Sequence, residues 1–532
     1  MNYGIFSMNE WLFPDSSASD GKKTASLKLL KEQTGAIQIF VDGLTVGAPV
    51  DVKAVGFDGV KVDAYREMEV CVNRNTNDYQ CGALTGGEWR DIKRDRVRPA
   101  PYRAFDPLMP VDGIKVEKES EAYYISFCPQ LDAVSGVREG RVVITFGDAT
   151  IEVPVTLTVG AKTLPESTLA LTNWTWVNCM AYMHGLEYGT PEHEEMFKKY
   201  MQTLIDCKNF IFFVDLPNMY TCKNVDGKFV FDFSEAKRWA ELALECGMTT
   251  LEWSHVLHRP SWEDGPFLIR NKSWEDYPLN CLSTEGRKYL TAYLYQFNQF
   301  LTENGWRDIS LVHVSDEPKE RVADDFRILC GIYRKYLPGI KLIDAIEIYF
   351  VEDALDIYVP KDHYYQLNKN DFEAIRDENN ELWFYTCNMP GGRFLNRHID
   401  APLLNTRLLH WGNYSHNLTG YLHWGYNAFE HHSGAFGQDI SPFEVTSKNE
   451  GLPAGECNIV YPYEDKILLS LRYMEMKCGV EDYEILRALS LSDKKEADEL
   501  CRRAFYAFDD YIKDVPEFDQ ITADLFDAYE KK

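Results

Sequence analysis

The sequence is short of positive charge. Lysine and arginine number 56 against 83 aspartates and glutamates, a formal net charge of −27 over 532 residues. A surface that acidic repels phosphate backbones and anionic lipid, which argues against a nucleic-acid partner or a membrane-surface role. Long apolar runs are also missing: no stretch of about 20 apolar residues occurs, and the start, MNYGIFSMNEWLFPDSS, has no basic segment. No signal peptide or membrane span is therefore expected, and a cytoplasmic location is. The 13 cysteines include no C-x-x-C pair and are odd in number, which argues against a zinc ribbon or disulfide framework and for reduced thiols. No Walker loop or G-x-G-x-x-G follows an early strand. His255 and His258 do not form H-E-x-x-H, and the His431-His432 pair has no acid or cysteine at ligand spacing. Neither a cofactor nor a metal is expected.

What the chain does have is aromatic surface, 14% of residues, which suits cores and also the apolar faces of sugar rings. Its length allows three or four domains at about 150 residues each. Residues 1–162 hold short runs rich in Val, Ile, Phe and Tyr between Gly, Asp and Pro turns, as in AIQIFVDGLTV and RVVITFGDATIEVPVTLTVG. That pattern predicts a β-sandwich, with Lys162-Thr163-Leu164-Pro165 as the linker. Residues 163–460 alternate strand and helix. Strand candidates lie near 169–178, 211–215, 250–255, 309–315, 341–346, 356–359, 382–387 and 420–426. Eight such units over about 250 residues predict a (β/α)8 TIM-type barrel, with an open doubly wound sheet as the competitor. Tyr289, Tyr293, Phe297, Phe300 and Leu301 mark one helix face, and Gly247 sits where a helix-ending glycine belongs. Residues 461–532 read as a helical C-terminal region packed on the barrel.

The strongest chemical signal is Leu311-Val312-His313-Val314-Ser315-Asp316-Glu317-Pro318. An apolar strand runs straight into two carboxylates. In a barrel, strand C-termini form the active-site face. Adjacent like charges and partial burial raise at least one pKa, leaving a proton-carrying acid beside an ionised partner, the combination glycoside cleavage uses. The plainer alternative is a helix cap beside a solvated acid.

Six ordered segments together carry a resemblance: FDPLMP, CPQLDAVSGVREGRVVITF, HVSDEP, WFYTCNMP, GYLHWGYN and SLRYMEMKCGVEDYEIL. Over about Phe105 to Leu489 the chain resembles glycoside hydrolase family 123, within the domain of unknown function 4091 group. Characterised members are β-N-acetylgalactosaminidases. The resemblance implies retaining, substrate-assisted hydrolysis, in which the sugar's own 2-acetamido oxygen attacks C1 to form an oxazolinium. Asp316 would accept the acetamido N–H, and Glu317 would protonate the leaving oxygen and then deprotonate water. The sequence adds its own check: predicted strand seven, Leu382 to Met389, holds no acid that could serve as nucleophile. A glycan is thus the expected partner, and a homo-oligomer is compatible with this reading.

Around the pair, Trp424, Tyr426 and Asn427 end predicted strand eight after His423, and alternation places Trp424 and Tyr426 on one side, facing the sugar if inward. Tyr385 on strand seven offers a hydroxyl, Trp174 after Asn173 closes strand one beside Trp176, Asp215 ends strand two and His255 follows strand three; all are candidate substrate ligands. For each, core packing or a helix cap is the plainer role. His313 is expected to support the acids from beneath, and Arg393 to lie at the surface. Two rivals stand: a glycosidase for a non-acetamido sugar using two separated carboxylates, with Glu347 or Glu430 as the second, and a non-catalytic carbohydrate-binding barrel.

Overall fold

The structure, a computed structural model, describes residues 1–76, 83–85, 88–90, 96–261, 263–270, 279–429, 443 and 452–532. Glu430, His431 and His432 lie outside these. The N-terminal part consists mostly of two sheets. One runs Asn2–Ser7, Gly35–Asp42, Ser120–Pro129, Val60–Val72, Tyr102–Pro110, Lys466–Ser470, Tyr461–Tyr463; the other runs Ala25–Lys31, Ala149–Thr163, Gly136–Phe146, Val50–Val55. Period-two alternation drives the packing: Ile37, Ile39, Val41, Tyr123, Ile125 and Phe127 meet Val142, Ile144, Val153, Val155 and Leu157 in one buried cluster. The region expected to be helical from residue 461 thus opens with a hairpin, which extends the N-terminal sheet by pairing Leu469 with Leu108.

The central part carries parallel strands, in chain order β1 (Ala170–Asn173), β2 (Ile211–Val214), β3 (Thr250–Trp253), β4 (Ser310–His313), β5 (Lys341–Ile346), β6 (Ile357–Pro360), β7 (Glu381–Leu382), β8 (Phe384–Tyr385) and β9 (Gly420–His423). β2 to β7 form one ladder in chain order; β8, β9 and β1 form another. β7 and β8 flank Trp383 and are one strand that changes partner there, so all eight predicted strand positions are occupied. Between β1 and β2 no ladder forms among the described residues. A side chain bridges instead: Asn209 Oδ1 accepts the Asn173 N–H at 2.8 Å, and Asn209 Nδ2 donates to the Ile211 carbonyl at 2.8 Å. The hydrogen-bonded ring that a closed (β/α)8 barrel requires is therefore not complete among the described residues. Inward residues of these strands, including Phe213, Leu311, Ile343, Val359, Trp383, Tyr385 and Leu422, share one inner cluster. Because the strands are parallel, the segments that follow them emerge at one common end.

Helices pack outside. Thr190 caps α1 (Pro191–Asp206), Gly247 ends α2 (Ser234–Cys246) at φ 109°, and Ser283 caps α3 (Thr284–Glu303), which buries Tyr289, Tyr293, Phe297 and Leu301 as its periodicity predicts. Next come α4 (Ala323–Tyr336), α5 (Leu404–His416) and α6 (Leu471–Ala504). Most charges of SLRYMEMKCGVEDYEIL are buried, and several join parts of the molecule. Arg472 pairs with Asp106 of FDPLMP at 2.8 Å, both fully buried. Asp482 takes Arg407 at 2.7 Å, Glu481 accepts the Thr34 N–H at 2.8 Å, and Glu484 accepts the Leu169 N–H at 2.9 Å. Gly479 lies where α6 meets α5, and a Cβ there would sit 2.5 Å from the Arg407 carbonyl oxygen. Among the described residues no helix is long and apolar enough to cross a membrane.

Candidate active site

β4 delivers the acid pair. It is buried throughout, and the chain then turns, with Glu317 at φ 42° before Pro318. That left-handed backbone is uncommon for a residue with a side chain and needs surroundings that hold it. Two groups do so. Asp344 on β5 accepts the backbone N–H of Val314 at 3.2 Å and of Ser315 at 3.0 Å. Arg259, beyond β3, donates to the carbonyls of Asp316 at 3.1 Å and Glu317 at 2.8 Å.

The two carboxyl groups have different surroundings. Glu317 is buried, accepts a hydrogen bond from the Tyr385 hydroxyl and lies 3.3 Å from Lys361 Nζ. Burial alone would raise its pKa, but Lys361, Lys319 and the Tyr385 hydrogen bond outweigh it and hold the group below its usual range. Lys361 and Lys319 are both paired with Glu347 as well. Asp316 is half-buried, and no group among the described residues bonds its carboxyl. Burial, the neighbouring Glu317 charge and Asp344 push it up to about 7. Their surroundings thus push the two groups in opposite directions, which favours a proton on Asp316 rather than on Glu317.

Beneath the pair lies a buried array. His313 donates from Nε2 to Glu252 Oε1 at 2.7 Å and from Nδ1 to Asp344 Oδ1 at 3.0 Å. Burial would lower its pKa, yet the bonds to Asp344 and Glu252 push it up to about 10, so it sits as an imidazolium between two acids. Since Asp344 also grips the Val314 and Ser315 amides, this array fixes the backbone that carries Asp316 and Glu317.

The expected substrate ligands divide. Tyr385 reaches Glu317 directly. Trp174 donates its indole N–H to Glu252 Oε1 at 2.9 Å and stacks on Phe213, centroids 4.3 Å apart, so it belongs to the array below the acids. Trp424 is half-buried against the same inner cluster and bonds Glu456, which also lies 3.2 Å from His398 Nε2. His255 is buried, and desolvation keeps it neutral. Asp215 accepts from Asn218 Nδ2 at 2.7 Å at the start of the short helix Leu216–Met219. Tyr426 turns outward: its hydroxyl meets Thr203 Oγ1 of α1 at 2.7 Å, because β9 ends at His423 and strand alternation lapses before it. Asn427 ties the loops together, accepting the Trp176 N–H at 2.8 Å and donating to its carbonyl at 3.2 Å. Arg393 is exposed and pairs with Asp509 at 2.5 Å.

Sequence reasoning passes over Lys361, Lys319, Arg259, Glu252 and Asp344 as partners of the pair. A signal for two of them exists: Glu252 and Asp344 are each the one acid of a mostly apolar strand, TLEW and KLIDAI, and a buried charge needs a partner. Among the described residues no three His, Cys, Asp or Glu side chains converge as a metal site.

Comparison with known proteins follows this geometry. Residues 174–489 match the glycoside hydrolase 123 catalytic domain, a span that contains the acid pair and its array. No curated relative matches the sequence. Among solved structures, a family 123 glycoside hydrolase from Clostridium perfringens, described for glycolipid glycan hydrolysis, superposes with a TM-score of 0.74 at 14% identity, covering 100% of this chain and 97% of its own. A termite-gut GH10 xylanase with a bacterial Ig-like domain (TM-score 0.36, 10% identity, 87% of this chain, 100% of its own) is too distant to inform the site. A match over more than half of the chain, which contains β4 and its acids, places this protein in glycoside hydrolase family 123, and it is a glycoside hydrolase.

Proposed function

We propose that this hydrolase releases a terminal β-linked N-acetylgalactosamine, or a related 2-acetamido sugar, with retention and through an oxazolinium, at the end of strands arranged as a (β/α)8 barrel. One observation carries the reading. Among the described residues, four further acids near the pair are engaged by partners: Glu252 and Asp344 by His313, Glu347 by Lys319 and Lys361, Glu456 by His398 and Trp424. Asp316 and Glu317, at the end of β4, are neighbours in sequence and too close together to flank a sugar as nucleophile and acid, which supports the acetamido oxygen as the nucleophile. In this scheme the acetamido N–H docks on Asp316 and favours its ionised form. The shared proton then resides on Glu317, which gives it to the glycosidic oxygen as the C1–O bond breaks. The acetamido carbonyl oxygen bonds C1. Glu317 next takes a proton from water, whose oxygen attacks C1 and reopens the ring. The glycolipid glycan of the Clostridium perfringens relative is a sensible first natural substrate.

The electrostatics of the pair favour a second version with the roles exchanged, Asp316 as acid and Glu317 as the anion. A panel of aryl glycosides tests both. Hydrolysis of the β-N-acetylgalactosaminide well above the β-galactoside is expected, and equal rates on the two sinks substrate assistance. The acid is the residue whose amide variant, Glu317→Gln or Asp316→Asn, recovers activity as the leaving group improves; the other variant stays crippled on every leaving group.

A further inference from the structure

We propose that a cleft between the segments following β1 and β2 is a second carbohydrate subsite, which takes a neutral hexose from the leaving-group side of the substrate. The inference rests on glycan hydrolysis at the acid pair and adds a place for the rest of the glycan. The cleft has a volume of about 300 Å³, at the lower end of ligand pockets. Tyr188 forms one wall, with 44% of its surface exposed. Its ring is held rather than loose: it packs edge-on against Trp239 with centroids 5.7 Å apart, and its hydroxyl accepts the Trp239 indole N–H at 3.0 Å. A fixed, exposed aromatic face is a platform for the C–H face of a pyranose.

The opposite wall is the hairpin Thr221–Val225 and Lys228–Asp232, in which Thr221 faces Asp232. Asp226 and Gly227 turn it with positive φ, as a two-residue hairpin loop requires. Thr221, Asp232, Ser234 and Glu235 line the cleft with hydroxyls and carboxylates, and Asn218 adds an amide. Alternating donors and acceptors around an aromatic plate suit sugar hydroxyls. The two acids disfavour phosphorylated, sialylated or uronic sugars, so the occupant is a neutral hexose. Asn218 also donates to Asp215 at the end of β2, which ties the cleft to the strand ends. β2, β3 and β4 are parallel neighbours, so the segments that follow them, the cleft among them, emerge at the same end as Asp316 and Glu317.

The test uses the full-length protein. Saturation-transfer NMR measures lactose, with glucuronic acid as charged control, on the unaltered chain and on Tyr188→Ala, Tyr188→Phe and Thr221→Arg. Lactose is expected to bind the unaltered chain and Tyr188→Phe, and to lose its signal with Tyr188→Ala and with Thr221→Arg, which fills the cleft from an exposed strand position. Kinetics then compare an aryl β-N-acetylgalactosaminide with a trisaccharide ending in the same sugar. KM for the trisaccharide is expected to rise about tenfold relative to the aryl substrate, or about 1.4 kcal/mol. Lactose binding unchanged in both disruptive variants, or an equal loss on the two substrates, overturns the proposal. If no acetamido sugar is cleaved at all, the substrate reading above fails, and lactose binding still decides the cleft.

Discussion

Tyr385→Phe isolates the electrostatics of the acid pair. The substitution keeps the ring in the inner cluster and removes only the hydroxyl that donates to Glu317, leaving Lys361 at 3.3 Å. A hydrogen bond to a charged acceptor contributes about 1.5–3 kcal/mol, and 1.36 kcal/mol corresponds to one pH unit, so the Glu317 carboxylate loses about one to two units of stabilisation. The scheme needs one proton on the pair. Activity falls at low pH when both carboxyls are neutral, and at high pH when both are charged. In the free enzyme the acid limb of kcat/KM belongs to Glu317, held low, and the alkaline limb to Asp316, pushed up to about 7. Losing the donor makes the anion harder to form, so the acid limb moves up by about one to two pH units while the alkaline limb stays, and the bell narrows from its acidic side. The assay is kcat/KM against pH with an activated aryl glycoside, in matched ionic strength. Movement of the alkaline limb with a fixed acid limb shows instead that Glu317 holds the proton in the free enzyme. Two unmoved limbs would falsify the claim that this hydroxyl bonds a titrating group.

Three further outcomes follow from the geometry. Glu347→Gln frees Lys361 and Lys319 to act on Glu317, so the acid limb should move to lower pH and turnover should persist; abolished turnover restored by added azide would make Glu347 a nucleophile. Asp106→Ala leaves the buried Arg472 guanidinium without its counter-charge and should cost about 3–5 kcal/mol in chemical denaturation, with Asp106→Ala/Arg472→Met recovering most of it; equal losses in the single and double variants would show that the pair is not coupled. Gly479→Ala places a methyl against the Arg407 carbonyl and should destabilise the chain by about 1–3 kcal/mol through separation of α5 and α6, read as a lower melting temperature.

Much of this was legible along the chain, because the relevant signals are local. Period-two apolar runs mark strands wherever one face is buried, so the sheets of the first 160 residues and the eight strand positions after them could be located. The acid pair could be found because an apolar strand that ends in two carboxylates at once is a conflict only a turn or a site resolves. What the sequence could not convey was partnership across distance. Tyr426 looks equivalent to Trp424 in a linear pattern, yet the strand stops at His423 and the two side chains part. The buried charges of α6 spoil its amphipathic period, and only the folded chain reveals that they answer Asp106, Arg407 and the Thr34 and Leu169 amides. The preference of the proton for Asp316 depends on Lys361, 44 residues beyond Glu317 in the sequence, coming within 3.3 Å of it. Residue order determined which groups could form strands and supply acids. Tertiary structure decided which charges met, and because Coulomb energy depends on separation and burial rather than on order, that decision sets the chemistry of the site.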